Sequence, residues 1–206
     1  MTETLGAALP AGAAGYGADA DALVAQYESV GFEQVQGGLL HLFPPAPARV
    51  LDVGAGSGRD AAALAGLGHT VTAVEPTAEL RERGRLLHAD AAIRWVDDAL
   101  PGLPVLGAPV DRFDLILLTA VWMHLDAAER AEALGRLAGL LAPGGLLVMS
   151  VRSGPVPAGR RMFEVPPQEL PALAERAGLR LVHRGERTDL HGRADVRWLE
   201  WGFLRP

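Results

Sequence analysis

Apolar and polar positions follow two rhythms along this chain. Short, dense apolar runs occur at residues 50–53, 70–74 (TVTAV), 92–96 (AIRWV), 113–118 (FDLILL) and 146–151 (LLVMSV). Runs of that length, rich in β-branched residues, predict buried strands. Over residues 61–67, 78–87 and 126–141 apolar residues recur at helical spacing instead. The last of these helices is expected to turn Leu134, Leu137 and Leu141 inward, with Asp126 as its cap. Strands alternating with helices predict an open α/β sheet with a parallel centre, and the continuously apolar FDLILL belongs in its middle.

The flanks are less regular. Residues 1–19 are rich in Ala and Gly without any period and read as a mobile tail. Leu23, Tyr27 and Val30 predict a helix over 21–33, capped by Asp19 or Asp21. A second short helix is expected over 36–42, stopped by Phe43-Pro44-Pro45. Residues 102–109 form a Pro/Gly-rich loop and 152–167 a second loop. A helix over 168–177 ends at Gly178, and two more strands follow at 179–183 and 196–203.

Composition narrows the class. The chain has 206 residues, enough for one domain with a full core, and 49% of them are hydrophobic. Its net charge of −6 gives no general attraction to nucleic acid or anionic membranes. Every basic residue is arginine and none is lysine, which reads as genome composition. Without cysteine there is neither a disulfide nor a thiolate metal site, and no H-x-x-x-H spacing suggests another metal. No signal peptide or spanning apolar run is visible, so a cytoplasmic protein is expected.

The chemistry centres on residues 49–60, RVLDVGAGSGRD. A strand, a glycine turn and a helix start together allow a tight turn, close ligand approach and unpaired N–H groups. A dinucleotide turn reads G-x-G-x-x-G. Here the third glycine, Gly58, comes one position early, and Asp52 stands two residues before Gly54. D-x-G-x-G-x-G resembles the first motif of class I S-adenosylmethionine-dependent methyltransferases. Two further stretches resemble that family: F-D-x-[IVL] at Phe113-Asp114 and L-x-P-G-G-x-[LV] at residues 141–147. The resemblance covers residues 50–151 in the expected order. It implies a Rossmann-like three-layer sandwich, with a seven-stranded, mostly parallel sheet whose last strand is antiparallel. It also implies one methyltransferase domain over 20–206, with 20–46 as lid helices and 152–167 as a substrate loop.

Expected cofactor residues follow. Asp52, Gly54, Ala55, Gly56 and Gly58 form the turn under the methionine and ribose of S-adenosylmethionine. Glu75, closing the second strand before Pro76, lies about 20 residues past the glycines, where a carboxylate takes ribose hydroxyls. The family places an acid after the third strand against the adenine amino group, commonly in Asp-Ala; Asp98-Ala99 matches, with Asp97 one step behind. Trp95 or Leu100 would wall the ring. Strand four runs out into Thr119 and then Ala120–Leu125, which should border the reacting methyl group. For the lid, Tyr27 and Phe32 are the residues of interest, with packing at the sheet edge as the alternative.

Methyl transfer needs alignment and water exclusion more than a base. His124 is the candidate base for a hydroxyl acceptor, or else structural, and His191 is second. Arg152 and Arg161 (with Arg160 beside it) suit a carboxylate or phosphate, or are solvated charges. Trp122, Met123, Met162 and Phe163 would line an apolar wall or belong to the core. A small-molecule O- or N-methyltransferase leads. A protein methyltransferase and a non-catalytic S-adenosylmethionine sensor stay open. The glycine spacing counts against a dinucleotide oxidoreductase. Thr119-Ala120-Val121-Trp122, where a nucleobase enzyme carries an Asn/Asp-Pro-Pro-Tyr/Phe run, counts against nucleic acid as the acceptor.

Overall fold

The computed structural model describes residues 10–107 and 112–206. Its centre is a seven-stranded sheet in the order β3-β2-β1-β4-β5-β7-β6. The strands are β1 (Arg49–Val53), β2 (Thr70–Val74), β3 (Ile93–Val96), β4 (Phe113–Thr119), β5 (Leu141–Ser153), β6 (Arg180–Thr188) and β7 (Arg197–Leu204). β1 to β5 pair in parallel, and β7 runs antiparallel to both β5 and β6. This is the expected sheet with its final strand reversed. The strand order reverses between β1 and β4, which opens a crevice at their carboxyl ends.

Two apolar layers flank the sheet because successive side chains point to opposite faces. Leu51, Ile116, Leu147 and Phe203 meet Leu134 and Leu137 of α5 (Ala127–Leu140) and Leu170 and Leu173 of α6 (Glu169–Arg176). Val50, Leu115, Leu117 and Val148 meet Phe32 of α2 (Phe32–Gln36) and Ala61 and Leu64 of α3 (Arg59–Gly66). α5 starts on a capping box: the Glu129 N–H donates to Asp126 Oδ1 at 2.9 Å, and the Asp126 N–H to Glu129 Oε2 at 2.7 Å. Buried Arg130 ties α5 to α6, donating to both carboxylate oxygens of Glu169 at 2.5 and 3.0 Å.

Some boundaries differ from expectation. The first long helix, α1 (Ala20–Glu28), ends before residues 29–31, and the expected helix over 36–42 is replaced by α2 and one 3₁₀ turn, Leu40–Leu42. Gly37 and Gly38 break it, and a side chain at 38 would meet the Glu200 carboxylate. Asp19 stands at the N-cap position of α1 without a side-chain capping bond, and Asp21 lies in the first turn; they pair with Arg160 and Arg83. The tail expected to reach residue 19 is corrected in part. Ala11–Ala13 and Gly17–Asp19 form 3₁₀ turns, and Ala13 is buried. Residues 1–9 and part of the 102–109 loop lie outside the described residues. β5 starts early, at Leu141 opposite Phe113, and shifts register across the Pro-Gly-Gly turn before Leu146 meets Leu115.

Candidate active site

The carboxyl ends of β1, β2, β4 and β5 open into a cleft of about 540 Å³. Gly54 and Gly56 turn at its floor with φ of +71° and +58°. The Gly54 and Ala55 N–H groups donate to Val74 O at 2.8 and 2.9 Å, pinning the turn to β2. A Cβ on Gly54 would lie 2.5 Å from Val121 Cγ2, and one on Gly56 would lie 3.2 Å from the Tyr27 ring. Handedness and close approach therefore both require glycine here. Gly58 faces away from the cleft. With φ +84° it precedes α3, and its α-carbon packs under the Trp95 ring, where a Cβ would fall at 2.7 Å. Trp95 is accordingly spent on packing, and Leu100 is the expected ring wall that does line the cleft.

Glu75 is buried beside this turn, next to Pro76, which also lines the cleft. Its Oε2 accepts from the Gly56 N–H at 2.8 Å and its Oε1 from the Thr77 N–H at 2.8 Å. The Thr77 side chain hydrogen-bonds the same carboxylate, which leaves one of its four lone pairs for a ligand hydroxyl. Burial raises its pKa, and the two N–H donors oppose that shift. Asp98 and Ala99 line the cleft further along. Asp98 Oδ2 accepts from the Val105 and Leu106 N–H groups at 2.9 and 3.2 Å, and Oδ1 from that of Ala99 at 2.9 Å. Asp98 thus shapes the loop around the ring site, with one lone pair left on Oδ1. Asp97 is displaced from the expected role: it is exposed and pairs with Arg81 at 2.9 Å, outside the cleft.

Beneath the turn lies a buried polar knot. Asp60 Oδ2 accepts from Gln36 Nε2 at 2.7 Å and from Thr119 Oγ1 at 3.0 Å, and Gln36 also donates to Thr119 at 2.9 Å. Asp52 sits beside it with Oδ2 unpartnered. Burial, then the neighbouring Asp60 carboxylate, pushes its pKa well up.

The other end of the cleft is built on the segment after β4. Ala120 adopts φ +62°, and a 3₁₀ turn, Trp122–His124, follows. His124 lines the cleft, its Nδ1 lying 2.7 Å from Arg161 O. A carbonyl only accepts, so Nδ1 carries the proton and Nε2 is left to accept. Tyr16 fills that position, its hydroxyl 3.0 Å from Nε2 and its ring edge-on to the imidazole. Burial lowers the His124 pKa, and the nearby arginines 160, 152 and 161 add to this against the opposing Arg161 carbonyl.

Two expected substrate contacts are corrected. Trp122 is fully buried in the core packed on α5 and does not reach the cleft. Arg161 borders the cleft, but its guanidinium is held by Glu129 at 2.7 Å, by Asp126 at 3.0 Å and by His124 O at 2.8 Å. Its charge is spent on the start of α5. Arg152 and His191 do line the cleft, as do Met123 and Met162. Tyr27 lies there too, whereas Phe32 is core against Phe43. Sequence reasoning missed Tyr16, Gln36 and Asp60. Asp60 closes the glycine motif and carried a signal, whereas Tyr16 sits in a stretch with no period. Among the described residues no metal-holding cluster of acids and histidines exists, and no helix is long and apolar enough to cross a membrane.

Residues 27–184 match a family described as a methyltransferase domain. The chain belongs to that family, and with this sheet and this glycine turn it falls among the class I S-adenosylmethionine-dependent methyltransferases. An uncharacterized methyltransferase of Mycobacterium tuberculosis is 39% identical over 102 residues, 48% of this chain and 48% of that protein. A ubiquinone biosynthesis O-methyltransferase of Bradyrhizobium is 33% identical over 102 residues, 50% of this chain and 39% of that one. The matched stretch spans about half the length of these curated relatives or less. The crystal structure of Burkholderia thailandensis 1,6-didemethyltoxoflavin-N1-methyltransferase, with 1,6-didemethyltoxoflavin and S-adenosylhomocysteine bound, shares the fold. Its TM-score is 0.65 at 24% identity, over 90% of this chain and 88% of that one.

Proposed function

We propose that this chain transfers a methyl group from S-adenosylmethionine to an oxygen or nitrogen of a small-molecule acceptor. The observation that carries this reading is one continuous cleft, with Glu75 and the glycine turn at one end and His124 at the other, narrowed by residues 10–16 and 157–162. That covering suits a small acceptor. Relatives named for O-methylation and N-methylation of small molecules support the same class.

The cleft fits the cofactor. Gly54 and Gly56 leave no room for a Cβ, and Glu75 and Asp98 each keep a lone pair. When bound, S-adenosylmethionine supplies an electrophilic methyl carbon that an acceptor lone pair takes as the carbon–sulfur bond breaks. Glu75 would hold ribose hydroxyls, Asp98 would meet the base, and the Gly54–Gly56 turn would hold the methionine part. Val121 and Met123 exclude water where the acceptor meets the methyl group. For a hydroxyl acceptor, His124 Nε2 takes the proton, with the acceptor replacing Tyr16 at that nitrogen.

Calorimetric titration with S-adenosylmethionine, S-adenosylhomocysteine and NAD, followed by assay of S-adenosylhomocysteine release with carboxylate, phenol and amine acceptors, tests the proposal. Saturable binding of the two sulfur compounds without NAD, and release with one acceptor class, is expected. Binding of NAD alone overturns it. Binding without release in any class would make the chain a non-catalytic binder.

A further inference from the structure

Six arginines line the cleft, and five of them are matched with carboxylates. Arg59 pairs with Asp60 at 2.7 Å, Arg160 with Asp19 at 2.9 Å and Arg161 with Glu129 at 2.7 Å. Arg187 pairs with Glu200 at 3.1 Å and Arg193 with Asp189 at 2.6 Å. Arg152 has no such partner among the described residues. Its Nη1 has only a long 3.5 Å contact with Gly154 O, and its Nε is buried with no hydrogen-bond partner. A buried guanidinium N–H without an acceptor is costly in an isolated protein, and it is relieved by an oxyanion that takes Nε and Nη together.

The surroundings give this cation a purpose. Arg152 stands at the carboxyl end of β5, opposite Trp198 on β7. Asp189, in the turn before β7, has both oxygens occupied by Arg193, by Trp198 Nε1 at 3.0 Å and by the His191 and Arg193 N–H groups. Its oxygens have no lone pair left for a hydrogen bond to Arg152, so Asp189, like Asp195, acts on that guanidinium only through space. Met123, Val196 and Trp198 form a small apolar cluster there, with Met162 against it. Glu75 and Asp98 lie at the cofactor end, so charge is divided along the cleft of a protein whose net charge is −6.

We propose that the acceptor is an anion, a small molecule with an apolar body and a carboxylate or phosphate group that Arg152 binds through Nε and Nη. The inference rests on the methyltransferase reading above and names the substrate class of that site. Arg152 sets which molecules are accepted, and His124 acts on the group that is methylated. A neutral isostere leaves Arg152 unmatched and is rejected.

The test uses the full chain saturated with S-adenosylhomocysteine, whose own affinity is measured first. Benzoate, phenyl phosphate and neutral benzamide are then titrated against intrinsic tryptophan fluorescence, in wild type, Arg152→Gln and Arg152→Lys. Saturable binding of an anion but not of benzamide is expected, weakened about tenfold or more in Arg152→Gln and partly kept in Arg152→Lys. Benzoate against phenyl phosphate decides between the two oxyanions. An unchanged S-adenosylhomocysteine affinity in both variants shows that the fold is kept. Equal anion binding in wild type and Arg152→Gln, or preference for benzamide, or no anion binding by the loaded wild type, overturns the inference. Failure to bind S-adenosylhomocysteine at all overturns the methyltransferase reading instead.

Discussion

At the scale of single residues, the cofactor end depends on two carboxylates with opposite duties. Glu75 is expected to hold ligand hydroxyls while its oxygens pin the Gly56 and Thr77 amides. Glu75→Ala should weaken S-adenosylmethionine binding by roughly 1–3 kcal/mol in calorimetry, the scale of charged hydrogen bonds; unchanged affinity would remove it from the site. Asp52 is held by burial, and then by Asp60, far above the ordinary carboxylate pKa of 3.8. The folded protein keeps a proton that the unfolded chain releases, so stability falls as pH rises from 3.8 to the raised value and is level beyond it. Asp52→Asn has no proton to lose. Its melting temperature relative to wild type should climb over that range, and a difference that stays flat with pH would show Asp52 to be unperturbed. His124 moves the other way. Its pKa lies below the ordinary 6.5, so turnover of a hydroxyl acceptor should persist as pH drops through 6.5 and fail only below it. A loss centred at or above 6.5 would assign the titration elsewhere.

At the scale of elements, α4 (Ala78–Leu87) offers a reversed sign. Gly84→Ala in an exposed helix gains about 1 kcal/mol. Here an added Cβ would meet the Trp95 ring at 2.5 Å and Ser57 O at 2.7 Å. The substitution should cost about 1–3 kcal/mol in denaturant unfolding, since overpacking outweighs propensity; a stabilised variant would show that Trp95 has room to move. The same ring lies over Gly58, so one tryptophan explains both Gly84 and a glycine that the motif assigns to the cofactor turn. Most strands and helices were legible because their burial is periodic. The boundaries that moved did so for non-local reasons: Gly38 against Glu200, and the hairpin of β6 and β7 extended to a turn gathered on Asp189. The Asp-Ala pattern puts Asp98 ahead of Asp97, but nothing in the sequence shows what holds either one. The loop folding back to Asp98 and the guanidinium of Arg81 reaching Asp97 separate them.

At the scale of the whole molecule, two segments far apart in sequence meet over the cleft. Arg160 donates to Gly15 O at 2.6 Å and to Asp19 at 2.9 Å, and its guanidinium lies 4.2 Å from the centre of the Tyr16 ring. Sequence could not show this, because a stretch without a period gives no sign of what it touches. Arg160→Ala should leave the melting temperature within a few degrees, since its partners Gly15 and Asp19 lie in the segment before α1, away from the sheet core, and Asp19 is exposed. It should make residues 11–19 several-fold more sensitive to limited proteolysis, and equal cleavage rates would mean that the segment is held elsewhere.

Tyr16 on His124 and Arg160 on Gly15 bridge the cleft as a clasp would. If the acceptor enters on that side, it must part these contacts on the way in, and the product must part them again to leave. Turnover would then be set by how often they open. Solvent friction slows such a hinge but leaves a bond-making step almost untouched. Added sucrose should therefore reduce turnover in step with viscosity, and the Arg160→Ala protein, with its latch loosened, should shed that dependence.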